Sequence, residues 1–185
     1  MSLWGNDTKP KNLTDAEKKE VFANTKGWVR EAGSILSGNG NTSADPEVLV
    51  AIGGLSANMG SANITELEFI TTAFDKSDGG TLQVRARFNE PVTVTGTPQL
   101  TVVNDSRANH TLSYASGSTT NELVFSLTIG AANAATNAGD VLSIGTNAMA
   151  LNGGTIKDTG QSGTNATITN AASIGTAAGT ITVTA

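Results

Sequence analysis

Few side chains in this sequence can do chemistry, and their spacing limits what they could do together. The single histidine, His110, lies in Ala108-Asn109-His110-Thr111, in a β-type run or its turn. A lone strand histidine reads as packed or exposed rather than as a proton carrier. Serines and threonines abound, but one histidine and no Gly-x-Ser-x-Gly motif leave nothing to assemble a nucleophile triad. The glycines punctuate turns, and none forms a phosphate loop. Asp75 and Asp78, with Asp140 or Asp158 from other turns, could offer hard oxygen ligands to calcium. Their spacing lacks the alternating ladder of a calcium loop, and Asx side chains in such turns ordinarily bond their own backbone. The chain has no cysteine, which removes disulfides and thiolate metal sites. The reading is a non-enzyme with no catalytic residue, no metal and no cofactor.

Composition points the same way. Only 15% of residues are charged, against a usual figure of about 25%. Gly, Ala, Ser, Thr and Asn take their place, so the surface is neutral and short-chained. A net charge of −5 speaks against a nucleic-acid partner. No apolar run approaches the roughly 20 residues needed to span a bilayer, so no membrane partner is expected. Met1-Ser2-Leu3-Trp4-Gly5 opens no secretory signal, and the sequons at Asn12, Asn41, Asn63, Asn104, Asn109 and Asn165 receive no glycans.

The elements that would position anything here are strands. From Thr81 to Ile129, apolar residues fall on alternate positions: Leu82, Val84, Ala86 and Phe88, then Leu100 and Val102, Leu112 and Tyr114, and Leu123, Phe125, Leu127 and Ile129. Alternation makes one greasy and one wet face per strand. Asn89-Glu90-Pro91, Gly96-Thr97-Pro98, Asn104-Asp105-Ser106 and Ser116-Gly117-Ser118 read as the turns between them. Short strands at this spacing predict a mainly β chain built as an Ig-like antiparallel sandwich. Its wet face carries little charge beyond Arg85, Arg87 and Glu122. Residues 47–55 and 62–74 read as further strands, and 75–80 as a hairpin-type turn. After Gly130 the signal thins to a loop over 130–140 and short strands at 141–145, 155–156, 166–169 and 180–184.

The N-terminal part differs. Lys9, Lys11, Lys18, Lys19, Lys26 and Arg30 make it locally basic within an acidic chain. Thr14 and Glu17 form a capping-box pattern that predicts a short helix over about 14–25, with Gly27 as its stop. Both tryptophans, Trp4 and Trp28, lie in this part. They either seal the end of the sandwich or serve as docking anchors. Residues 33–46 form a Gly/Ser/Asn-rich connector. The division is therefore an arm over 1–47 and a β domain over 48–185. Leu3, Trp4, Lys9, Lys11, Phe22 and Trp28 are the candidate partner-binding residues.

Two resemblances add to this. FNEPVTVTGTPQLTV, LSYASGSTTNELVFSLTI and ALNGGTIKD, within residues 64–157, resemble the bacterial Ig-like modules of cell-surface and adhesion proteins. That likeness implies an Ig-like sandwich without catalysis. The opening MSLWGNDTKPKNLTDAEKKEVFANTKGWV, with EVLVAIGGL, resembles small virion proteins of tailed phages infecting marine cyanobacteria. It implies a structural part of the particle, assembled in the host cytoplasm, specifically a capsid decoration or cement protein. Its partners would be other virion proteins, the major capsid protein above all, with copies of itself and weak host-surface contact. A tail, neck or fibre-associated role, and an adhesion or glycan-binding module, are the alternatives.

Overall fold

The computed structural model describes residues 9–24, 27–30, 47–51, 61–160 and 163–185. Leu3, Trp4, the 33–46 connector and Gly53-Gly54 lie outside the described residues. The fold is mainly β, with two sheets, the larger a curled half-barrel.

The small sheet is β1 (Val21–Asn24), β2 (Gly27–Arg30) and β3 (Glu47–Ala51), antiparallel in that order. It corrects the expected helix. Helix α1 covers only Asp15–Lys19; Thr14 caps it and Glu17 returns the bond, completing the capping box. Val21-Phe22-Ala23 then turn extended, because these contiguous apolar residues suit a strand paired with Trp28 and Val29 better than one face of a helix. Gly27, expected to stop a helix, instead begins β2 at φ 126°. Residues 47 and 48, where the arm was expected to give way to the β domain, lie in β3, which pairs with β2. Val21, Ala23 and Trp28 form this unit's own apolar cluster, with Leu13 and Leu49 against it.

The large sheet has nine strands: β4 (Ile64–Phe69), β5 (Phe74–Asp75), β6 (Gly80–Thr95), β7 (Gln99–Asn104), β8 (His110–Ser116), β9 (Thr120–Ile129), β10 (Val141–Ala150), β11 (Thr155–Asp158) and β12 (Ile181–Thr184). Hydrogen bonding runs continuously through β11-β6-β9-β8-β7-β10-β12-β5, with β4 also on β6. The alternation is realised as predicted. Leu82, Val84, Ala86, Phe88, Leu100, Val102, Leu112, Leu123 and Phe125 are all buried in one core.

Three local expectations fail, and one element was not expected. Asn89-Glu90-Pro91 is no turn but lies within β6, where the register against β9 shifts between Arg87 and Val92. Pro91 has no N–H to give a ladder, and an irregularity is where a strand tolerates it. Past this point β6 exchanges β4 for β11 as its outer neighbour. Residues 75–80 are not a hairpin, since β5 pairs in parallel with β12 and not with β6. Residues 166–169 contribute an isolated bridge, Asn63 to Thr167, instead of a strand. A second helix, α2 (Ala172–Ala177), goes unannounced by any apolar period. It packs against β10 and β4, with Ile174 on the core. The close approach requires Gly175, where a Cβ would lie 2.2 Å from the Ile144 carbonyl oxygen.

Candidate docking site

The richest polar constellation stands on the outer face of β4, β6 and β9. Glu66 and Glu68 alternate with core residues Leu67 and Phe69, as Arg85 and Arg87 do with Val84 and Ala86. Register then sets Glu66 opposite Arg87, Glu68 opposite Arg85, and Arg87 opposite Glu122. Arg87, 1% exposed, places Nη1 2.8 Å from Glu66 Oε2 and donates from Nε to Glu122 Oε1 at 2.9 Å. Arg85 lies 3.6 Å from Glu122 and 3.8 Å from Glu68.

The N-terminal segment covers this face. The Lys9 ammonium reaches Glu66 Oε1 at 2.9 Å and also donates to the Lys18 carbonyl at the end of α1. From β1, the Phe22 ring lies under the Arg87 guanidinium, 5.0 Å from centroid to Cζ, a cation–π contact. Among the described residues this face holds three carboxylates and two guanidinium groups, and Lys9 adds a third cation. Burial pushes the Glu66 carboxyl up to about 7, against the pull of Lys9. Burial also lowers the Lys9 ammonium, against the pull of Glu66, and lowers Arg87 against Glu122. Chemically this is a seat for a cation-bearing, aromatic-bearing segment.

Of the six candidate residues, Lys9 and Phe22 are brought together on that seat. Trp28 is buried in the small sheet's own cluster. Lys11 is exposed. Leu3 and Trp4 lie outside the described residues. Three side chains expected to face a partner thus face their own chain. Glu66 and Glu68 were not singled out from the sequence, although Glu-Leu-Glu-Phe across from Arg-Ala-Arg-Phe is a period-two charge pattern. Lys9, 57 positions from Glu66, has no such signal.

The remaining titratable candidates are dispersed. His110 is buried in β8, and desolvation lowers its pKa against the attraction of Asp140. Asp140 accepts from Ser106 Oγ, Asn104 Nδ2 and the Asn137 N–H, which hold its carboxyl below the usual range. Asp75 closes its own turn, accepting from Ser77 and from Thr184 of β12. Among the described residues no three His, Cys, Asp or Glu side chains are grouped to hold a metal ion. Nor is any helix among them long and apolar enough to cross a membrane.

The motif residues are spent on backbone. Asp158 is buried and accepts from the Ala62 N–H at 3.0 Å and the Gly160 N–H at 2.7 Å. A Cβ at Gly154 would meet the Thr95 carbonyl oxygen at 2.4 Å. The Tyr114 hydroxyl accepts from the Ser118 N–H at 2.9 Å, and its ring meets Phe125 edge-on. Tyr114→Phe should therefore cost about 1 kcal/mol in urea unfolding, with the fold unchanged by circular dichroism.

No family model, curated protein or solved structure compared with the chain matches it.

Proposed function

We propose that this chain is a non-enzymatic structural protein of a tailed-phage virion, a capsid decoration or cement protein with an Ig-like β domain and a docking N-terminal part. The observation that carries the reading is a division within the chain. Val21–Asn24, Gly27–Arg30 and Glu47–Ala51 form a separate small sheet with its own apolar cluster, in the locally basic part of the chain, beside a β body whose motif residues serve turns and backbone. The opening sequence, with its resemblance to small cyanophage virion proteins, assigns the docking to that part. Lys11, which is exposed, and Trp4, which lies outside the described residues, are the residues to test; Lys9, Phe22 and Trp28 have partners in the chain.

Heads assembled without this chain should take up the wild-type protein to saturation. Trp4→Ala combined with Lys11→Glu should lower occupancy at least tenfold, on the order expected for a buried anchor of about 2 kcal/mol together with a rim charge. Its urea midpoint should stay unchanged. Normal occupancy by the double variant would sink the docking assignment.

A second reading, an adhesion or glycan-binding module, is favoured by one surface. Gln83, Ser126, Ser113 and Gln99 stand in direct register across β6, β9, β8 and β7, an uncharged row of amides and hydroxyls. A flat response on a broad glycan array removes it.

A further inference from the structure

His110 opens β8 on the inner side of the large sheet, on the same face as Leu112, and is 4% exposed. Around it the core ends in polar residues. Asn104 closes the inner face of β7 after Leu100 and Val102, and its Nδ2 donates to Asp140 Oδ2 at 2.9 Å. Ser106 Oγ and the Asn137 N–H also donate to Asp140, whose charge draws a proton toward His110. The loop from Gly130 to Asp140 closes onto this end through Asn137. It is built of small residues, of which only Thr136 and Asp140 are buried.

Two buried atoms here have no hydrogen-bond partner among the described residues: His110 Nε2 and the hydroxyl of Thr136, a residue 1% exposed. Thr136 adjoins Asn137, whose N–H touches Asp140, so both atoms belong to the surroundings of one carboxylate. Buried polar groups in folded proteins are nearly always satisfied, by protein or by ordered water, and one left dry is destabilising. We propose that a water molecule is held between His110 Nε2 and the Thr136 hydroxyl, and that through it the single histidine pins the 130–140 loop to the large sheet.

Water suits the pair for chemical reasons. A neutral imidazole presents Nε2 either as donor or as acceptor, a hydroxyl does both, and water answers each combination. Burial lowers the His110 pKa against the pull of Asp140, which leaves the ring neutral at neutral pH. A metal ion fits less well. Asp140 is already engaged by three donors, and among the described residues no three His, Cys, Asp or Glu side chains are grouped to hold one. The loop's other ties lie nearer the surface. The Ala132 N–H meets the Lys76 carbonyl, the Gly139 N–H meets the Val183 carbonyl, and Lys76 Nζ donates to Asn137 Oδ1. The water bridge would be the tie that fixes the loop's buried centre.

Hydrogen exchange on the full chain reads the tie. Thr136→Val keeps the side chain's shape and removes its hydroxyl. Exchange of the Asn137 and Gly139 N–H groups should then quicken roughly tenfold, the effect of losing one hydrogen bond. Were the hydroxyl without a partner, valine would leave exchange unchanged or slow it, and either result overturns the bridge. His110→Phe should quicken the same two groups about as much. In the double variant the two effects should not multiply, because one water serves both side chains. A product of about a hundredfold overturns the proposal. If His110→Phe fails to fold, water-selective NOE spectroscopy on the wild-type chain decides. A long-lived water against both the Thr136 methyl and the His110 ring protons supports the bridge, and its absence from either overturns it. Added zinc should leave the His110 ring resonances in place, whereas a saturating shift would assign the site to a metal and overturn the water.

Discussion

Arg87→Ala should lower the unfolding free energy by about 3–5 kcal/mol, the range found when one member of a buried ionic group is removed. The guanidinium is 1% exposed and bridges carboxylates on two neighbouring strands, so its loss takes the shorter of two cationic contacts from Glu122 and one of two from Glu66. Glu66 would keep Lys9, while Glu122 would keep Arg85 at 3.6 Å. The Phe22 ring would also lose the cation above it. Arg87→Lys should recover only part of this, because a point ammonium cannot hold two carboxylates with a planar fork. Equilibrium urea unfolding measures both. A loss under about 1 kcal/mol for alanine would mean that the cluster is a surface network with little net worth.

Gly117→Ala should be nearly as damaging, at about 3 kcal/mol, from a left-handed backbone and a clash that side chains cannot relieve. Gly117 has φ 105°, and a Cβ there would lie 1.9 Å from the Glu122 carbonyl oxygen. The turn cannot easily yield, because Thr120 Oγ1 donates to the Gly117 carbonyl and the Tyr114 hydroxyl holds the Ser118 N–H. Gly139 is the matched control: its φ is 90°, but nothing lies within 4 Å of its added Cβ. Gly139→Ala should cost only about 1–2 kcal/mol, the left-handed penalty without the collision. A thermal melt should separate them, with Gly117→Ala falling by roughly 6–12 °C. Equal losses at the two glycines would show that conformation, not contact, sets the cost.

The large sheet was legible because its period is two and its inner face is mostly apolar, with His110 of β8 and Asp158 of β11 among the exceptions. Leu82 to Phe88 and Leu123 to Ile129 needed no tertiary knowledge. The failures have a common physical origin in competition between local signals and pairing. Thr14 to Glu17 correctly marks a helix start, but Val21-Phe22-Ala23 finds a better partner in Gly27–Arg30 than in its own helix. Asn89-Glu90-Pro91 has turn chemistry, yet β6 absorbs it as an irregularity because partners stand on both sides. Helix α2, Ala-Ser-Ile-Gly-Thr-Ala, has no amphipathic stripe, and its place is set by the close approach at Gly175.

The candidate site was half legible. Arg85, Arg87 and Glu122 stood out as the charges on a neutral face, and Lys9 and Phe22 as residues with a task. That these two groups answer each other could not be read, because the join spans two separate sheets.

The placement of β12 has a consequence for how fast the chain can reach its native state. β12 lies between β10 and β5, and Thr184 bonds Asp75 across 109 positions of sequence. Asp158 similarly reaches the Ala62 N–H across 96. Contacts this distant require loop entropy to be lost before they give any return. Such non-local β topologies fold in milliseconds to seconds. Until β12 arrives, β10 keeps an unpaired edge, open to the wrong strand. The order in which the sheet closes, and not its final stability, is then the step most exposed to self-association.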